Sequence, residues 1–142
     1  HLIMYQTVPE ESREALISAR QENRLLYLVE RDIIGCDYGQ VGSELMQSWN
    51  FPDNWIQAVR YQNEPARAEA FPLEVAIMHI AVQLKQHAVA DPKDARGLPC
   101  IDAAAWEQTG LTEAVIEPVC ATADEQLATT VDMLFSDKRK SA

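Results

Sequence analysis

Apolar residues recur along most of the chain at intervals of three and four positions, the spacing that places side chains on one face of an α-helix. Runs of β-branched and aromatic residues at a period of two, which would indicate β-strands, are missing. Only 5 glycines and 7 prolines interrupt the chain. The pattern therefore predicts an all-α fold, a compact bundle of about six helices.

Proline, aspartate and glycine mark the predicted helix ends, because proline suits a first turn, aspartate caps an N-terminus and glycine ends a helix. The predicted helices run from Pro9 to about Asp32, from Asp37 to Ser48, from Pro52 to the Asn63–Pro65 segment, from Pro72 to about Ala90, from Asp102 to Gly110 and from Glu113 to Phe135. We expect Gly35 to end the first helix with a positive φ. Pro118 should either kink the last helix or mark its true start. The helix from Pro72 is apolar on nearly every side and is predicted to be the most buried.

Composition and charge narrow the classes of function. The 142 residues fit a single helical domain over 1–142, with residues 136–142 as a flexible tail. The net charge of −10 argues against nucleic acid as a partner, and no stretch is apolar enough to predict a membrane span. Cys36, Cys100 and Cys120 are odd in number and far apart, so we expect reduced thiols in a cytoplasmic protein.

Few residues offer catalytic chemistry. His79 and His87 lie eight positions apart on one predicted helix, about 12 Å, which is too far to share a metal ion. We interpret His79 as a core or boundary residue and His87 as a surface residue. Carboxylates such as Glu30, Asp32 and Glu44 are assigned to solvated helix faces. These residues alone indicate a helical domain without a recognisable catalytic group.

Residues 34–52 carry the most specific pattern in the chain. They combine a helix, a tight break and a second helix with a frame of spaced residues, namely Gly35, Gly42, Trp49 and Pro52. This frame resembles the HDOD family, the HD-related output domains of bacterial signalling proteins, and the resemblance extends over about residues 12–135. The family domain is usually longer, so the chain resembles its C-terminal half. The first residue, His1 rather than Met, agrees with this expectation.

The departures from the family pattern bear on catalysis. In the HD superfamily, histidines and aspartates from several helices hold metal ions that activate water against phosphate esters. The resemblance places Tyr38 where a histidine is expected, Gln62 and Asn63 where paired histidines are expected, and Val82 where an aspartate is expected. Tyrosine and the amides are weak metal ligands, valine is none, and Glu64 alone cannot hold a catalytic ion. The resemblance therefore implies a vestigial cleft, no metal or other cofactor and no enzymatic activity.

Three functions are compatible with this pattern. The favoured one is a non-catalytic bacterial signal-transduction module that regulates by binding a protein partner, which the resemblance suggests is a receiver or diguanylate-cyclase-type domain. The second is a metal-dependent HD-type phosphohydrolase acting on a nucleotide or cyclic dinucleotide. The third is a helical module that forms a homodimer through the apolar stripe of its last helix.

Two tryptophans, Trp49 and Trp55, are candidates for a protein interface, because tryptophan is favoured at interface hot spots. Trp49 follows Val41 and Leu45 at intervals of four, so we favour a core position for it over an interface position. Trp55 and Trp106 fit either position about equally.

Overall fold

The computed structural model describes residues 1–89 and 101–135, over which it contains eight α-helices, two short 3-10 helices and no strand. The α-helices, numbered α1 to α8 in chain order, are Leu2–Thr7, Pro9–Gln21, Leu26–Ile34, Tyr38–Ser48, Asp53–Arg60, Pro72–Val89, Ala103–Thr109 and Ile116–Phe135. The 3-10 helices are Pro65–Arg67 and Glu113–Val115. The predicted all-α fold is confirmed, and the number of helices is close to the prediction of about six.

Contacts divide the chain into two compact units, His1–Thr109 and Gly110–Ala142. The first contains α1 to α7, and the second contains the second 3-10 helix and α8. A single domain over 1–142, taken as the C-terminal half of an HDOD domain, stays a prediction. The predicted tail, 136–142, lies outside the described residues, as do Cys100 and the side chain of His87.

The single helix predicted from Pro9 to about Asp32 is wrong, because a turn separates α2 from α3. Helix α2 ends where Asn23 takes a φ of +52° and the amide of Arg24 donates to the carbonyl of Ala19 at 3.0 Å. This is a left-handed C-cap, and asparagine is one of the few residues besides glycine that adopts it readily. Gly35 ends α3 as predicted, with a φ of +88°.

Helix α4 begins at a capping box. The Asp37 side chain accepts a hydrogen bond from the Gln40 amide at 2.9 Å, and the Gln40 side chain accepts one from the Asp37 amide at 3.0 Å. Asp37 is thus confirmed as the N-cap. A Cβ added to Gly39 would lie 2.9 Å from the carbonyl oxygen of Val59, so the first turn of α4 packs directly on the backbone of α5.

Two small apolar clusters stabilise the first unit. One contains Ala15, Ala19 and Val29, with Leu26 and Ile33 packed against it. The other contains Ala76, Ile80 and Ala105, with Leu84, Ile101 and Trp106 packed against it. Trp106 therefore takes the core alternative.

Helix α6 is buried on one face only. Val75 and Ala76 are fully buried, whereas Leu73 is 47 % exposed and Ile77 53 % exposed. Among the described side chains, α6 has more buried residues than any other helix, namely Val75, Ala76, His79 and Ile80, in agreement with its prediction as the most buried helix. Helices α5 and α7 and the 3-10 helix at 65–67 pack against it and leave an apolar face open.

Helix α8 spans 20 residues and belongs to the second unit. Pro118 lies in its first turn, where a missing N–H is tolerated, so this proline marks the start of the helix. The apolar stripe of α8 is largely exposed, with Val119 at 51 %, Leu127 at 62 % and Val131 at 43 %. Neither α8 nor any other helix in the described part of the chain is long and apolar enough to cross a membrane.

Candidate functional site

Tyr38 and Asn63, two of the four predicted cleft residues, are bonded to each other. The Tyr38 hydroxyl, at the start of α4, donates to Oδ1 of Asn63, which follows α5, at 2.6 Å. The phenol also forms a hydrogen bond with the side chain of Gln86 on α6. Burial raises the pKa of Tyr38 above its usual value of 10.0, and the bonds to Asn63 and Gln86 oppose the rise. The phenol therefore stays protonated at neutral pH and remains a hydrogen-bond donor.

Gln62, the third cleft residue, forms a side-chain hydrogen bond with the backbone of α5. Its Nε2 donates to the carbonyl of Val59 at 2.7 Å, which closes the last turn of α5. The same nitrogen lies 3.3 Å from the position that a Cβ on Gly39 would take. The amide is thus wedged between α4 and α5 rather than directed at a ligand.

His79 links three elements of the first unit. Its Nδ1 donates to the backbone carbonyl of Gln62 at 2.7 Å, and its Nε2 accepts a bond from the Asp102 amide at 3.0 Å. Because a carbonyl only accepts and an amide N–H only donates, the ring proton must be on Nδ1. His79 is 2 % exposed, so its interpretation as a core residue is confirmed.

Val82, the fourth cleft residue, contributes no polar group to the site. It lies one turn before Gln86 on α6, so the two residues share a helix face. Gln86, which the sequence reasoning missed, supplies the polar contact to Tyr38. The spacing of Gln86 along its own helix gave no signal of this contact. Nδ2 of Asn63 is buried without a hydrogen-bond partner in the described part of the chain.

Glu30 lies next to Tyr38 and is buried, so its assignment to a solvated face is wrong. It is 3 % exposed, and its Oε2 accepts the Tyr38 amide N–H at 3.1 Å. Its Oε1 lies 3.5 Å from Nε2 of His1. Burial raises the pKa of Glu30 above 4.5, and the Tyr38 amide opposes the rise. Asp32 and Glu44 have exposed side chains, as predicted.

Arg31 forms ion pairs with two carboxylates near the start of α4. Its guanidinium lies 2.6 Å from Oδ2 of Asp37 and 2.6 Å from Oε2 of Glu64. Arg67 adds a second cation to Glu64 at 2.9 Å. The bond from Arg31, with a smaller contribution from Arg67, lowers the pKa of Glu64 below 4.5. Both carboxylates are therefore already paired with arginine.

This set of side chains does not fit a metal ion. No three His, Cys, Asp or Glu side chains among the described residues come together in a way that could hold one. The oxygens around Tyr38 belong to a neutral phenol and neutral amides, and a cation would also face the charge of Arg31. The absence of catalysis itself stays a prediction.

The residues Trp49, Phe51 and Trp55 form an exposed aromatic patch. They are 63 %, 38 % and 56 % exposed. The ring centroids of Trp49 and Phe51 are 6.4 Å apart, and those of Phe51 and Trp55 are 6.0 Å apart. The core position favoured for Trp49 is wrong, because this residue is the C-cap of α4, where the chain leaves the helical path. Trp55 also takes the surface alternative.

An open hollow of about 630 Å³ lies elsewhere, lined by Gln57, Tyr61 and residues 66–70. None of the four cleft residues lines it. Arg67, its cationic group, is bonded to Glu64. The hollow is therefore a feature separate from the predicted cleft.

Comparison with known proteins supports the resemblance over the first part of the chain. The family model of the HDOD domain matches residues 1–65, a range that contains Tyr38, Gln62 and Asn63. Val82 and the remainder of the predicted range lie beyond the match. No curated protein and no solved structure matches the chain.

Proposed function

With residues 1–65 matching the HDOD domain, we propose that this chain is a non-catalytic bacterial regulatory module that acts by binding a protein partner in a signalling pathway. The match indicates a domain related to the HD superfamily. A receiver or diguanylate-cyclase-type domain is the partner that the family resemblance suggests.

The observation that carries this proposal is the hydrogen bond between Tyr38 and Asn63. At positions where the family resemblance expects imidazoles, the chain has a phenol and an amide that are bonded to each other. Binding an ion here would break a partly buried hydrogen bond and gain only weak neutral oxygen ligands. This argues for a site without the ion that HD-type hydrolysis requires.

The charges around the cleft support the same proposal. HD-type hydrolysis needs a divalent cation that is held by carboxylates and imidazoles with free lone pairs. Asp37 and Glu64 are both within 2.6 Å of Arg31, and His79 uses both ring nitrogens in bonds to backbone. A cation would therefore compete with arginine for these carboxylates.

Hydrolysis of phosphodiesters tests the non-catalytic part of the proposal. The purified chain, supplied in turn with Mn²⁺, Fe²⁺ and Zn²⁺, is assayed on bis-p-nitrophenyl phosphate and on a cyclic dinucleotide. We expect no turnover above the rate without protein. Metal-dependent turnover that disappears in the Asn63→Ala variant would assign hydrolysis to this cleft and contradict the proposal.

Self-association through α8 is a second candidate, favoured by the exposure of Val119, Leu127 and Val131 along one helix. Covering such a stripe with a second copy would remove apolar surface from water. Light scattering at two concentrations tests this function. A dimer at the higher concentration that Leu127→Glu abolishes would support it, and a monomer at both would exclude it.

A further inference from the structure

The aromatic patch is presented by a turn with little freedom to move. Asn50 has a φ of +56°, its amide donates to the carbonyl of Gln47 at 3.0 Å, and the Phe51 amide donates to the carbonyl of Met46 at 3.0 Å. These two bonds form a Schellman C-cap, and Pro52 restricts the backbone directly after it. Binding at the patch therefore costs little backbone entropy in this turn.

No basic residue of residues 32–59 is available to stack on the rings of the patch. Residues 32–59 contain no lysine or arginine, whereas Asp53 lies within the patch sequence. Arg60, the next basic residue, is bonded to Glu44 at 2.9 Å. In the described part of the chain, the cation over an aromatic ring is Arg31 above Tyr27, at 5.1 Å.

We propose that the aromatic patch binds a basic protein segment, with an arginine or lysine side chain seated against the rings of Trp49 and Trp55. This inference rests on the proposed function and names the chemistry of its partner. Tryptophan is the aromatic side chain that attracts cations most strongly, and both tryptophans expose more than half of their surface. The net charge of −10 attracts the same class of partner.

A basic segment fits the patch better than a second copy of the chain does. Two copies meeting at their patches would each contribute Asp53 and no basic residue from 32–59. Each copy also has a net charge of −10, so their approach is opposed by repulsion between like charges. A partner with arginine or lysine gains attraction where a second copy meets repulsion.

Calorimetric titration of the full chain with a synthetic peptide of arginine, leucine and alanine tests the proposal. The control peptide has citrulline, a neutral isostere, at every arginine position. We expect the arginine peptide to bind at least about tenfold more tightly than the citrulline peptide.

Matched variants separate stacking from simple attraction between charges, because none of them changes the net charge. We expect Trp55→Leu to weaken binding of the arginine peptide about tenfold, and Trp55→Phe to retain most of the affinity because a ring remains. Ile17→Ala, at a 48 % exposed apolar residue on α2, should bind as the wild type does.

Three results would overturn the inference. Equal affinity of the chain for both peptides would show that binding depends on apolar burial alone. Full affinity of Trp55→Leu for the arginine peptide would show that charge attraction accounts for binding without the rings. Absence of peptide binding, with a dimer that Trp55→Leu dissociates, would assign the patch to a second copy. The two tests are independent of each other. Failure of the peptide to bind would not change the expected result of the hydrolysis assay. Metal-dependent turnover would contradict the proposed function without changing the result of the peptide titration.

Discussion

The hydroxyl of Tyr38 and Oδ1 of Asn63 satisfy each other across 2.6 Å, in surroundings that keep the phenol protonated. Each group takes the place of an imidazole that the family resemblance expects. The bond therefore stabilises the contact between α4 and the end of α5 where the resemblance would place metal ligands.

Removing this hydroxyl tests its contribution to stability. We expect Tyr38→Phe to lower the free energy of unfolding by about 1–3 kcal/mol, because the buried amide of Asn63 loses its donor. Tyr5→Phe makes the same chemical change at a residue that is 38 % exposed, and should change stability by about 0.5 kcal/mol or less. Urea denaturation measures both. Equal losses would show that the hydroxyl of Tyr38 has no special role.

The pKa values of Glu64 and Glu30 are shifted in opposite directions, so removing their charges should have opposite effects on the free energy of unfolding. Because Arg31 lowers the pKa of Glu64, its contribution to stability is present above pH 4.5 and is lost as the pH falls through the lowered pKa. Because burial raises the pKa of Glu30, its contribution is present below pH 4.5 and is lost as the pH rises through the raised pKa.

We therefore expect Glu64→Gln to lower the free energy of unfolding at neutral pH by about 0.5–1 kcal/mol and Glu30→Gln to raise it. Both differences should shrink as the pH is lowered to about 3, because the carboxyl groups of the unfolded chain are then protonated. Urea denaturation of the three proteins at the two pH values measures this. Changes of the same sign at neutral pH would contradict the assignment.

Single residues show where local pattern stops being informative. Asp37 was identifiable as an N-cap because capping depends on residues three positions apart. The burial of Glu30 could not be predicted in this way, because it depends on a hydrogen bond from an amide of the next helix. The positions of apolar residues around Glu30 carry no information about that contact. The contact of Gln86 with Tyr38 was missed for the same reason.

At the scale of helices, periodicity located the segments and the end of α4 at Ser48, but it missed the break between α2 and α3 and misjudged the burial of Trp49. The apolar spacing is helical on both sides of Asn23, so it does not report the left-handed Asn23 and the extended Leu25 that separate α2 from α3. Trp49 continues the interval of Val41 and Leu45, yet it is the cap at which the helix stops. A periodic pattern cannot report that its last member has left the helix.

The packing of α4 on α5 predicts different effects for two glycines one turn apart. In Gly39→Ala the new Cβ would meet the Val59 carbonyl oxygen at 2.9 Å, so we expect a loss of about 1–3 kcal/mol. In Gly42→Ala it meets only the Cγ1 methyl of Val59 at 3.1 Å, which can shift. The higher helix propensity of alanine, up to about 1 kcal/mol, then makes the change neutral to stabilising.

Thermal and urea unfolding of the two variants provide the comparison, and each serves as the control for the other. Equal destabilisation would mean that close approach of α4 to α5 is required along its whole length. A stable Gly39→Ala protein would mean that the first turn of α4 can move away from Val59.

For the molecule as a whole, the frame of Gly42, Trp49 and Pro52 was enough to identify the HDOD resemblance, which the match over residues 1–65 supports. The fold class also followed from periodicity alone. The aromatic patch could not be predicted from periodicity, because the exposure of Trp49 and Trp55 depends on the turn between α4 and α5. The proposal that the partner is a basic segment therefore depends on the structure and could not be made from the sequence.

The central claim, that the cleft residues hold each other instead of an ion, is tested most directly by the metal content of the purified chain. The protein is expressed with iron, manganese and zinc supplied, dialysed without chelator and measured by elemental analysis beside the Asn63→Ala variant. We predict a content far below one ion per chain in both proteins. Near-stoichiometric metal in the wild type, lost in Asn63→Ala, would contradict the claim.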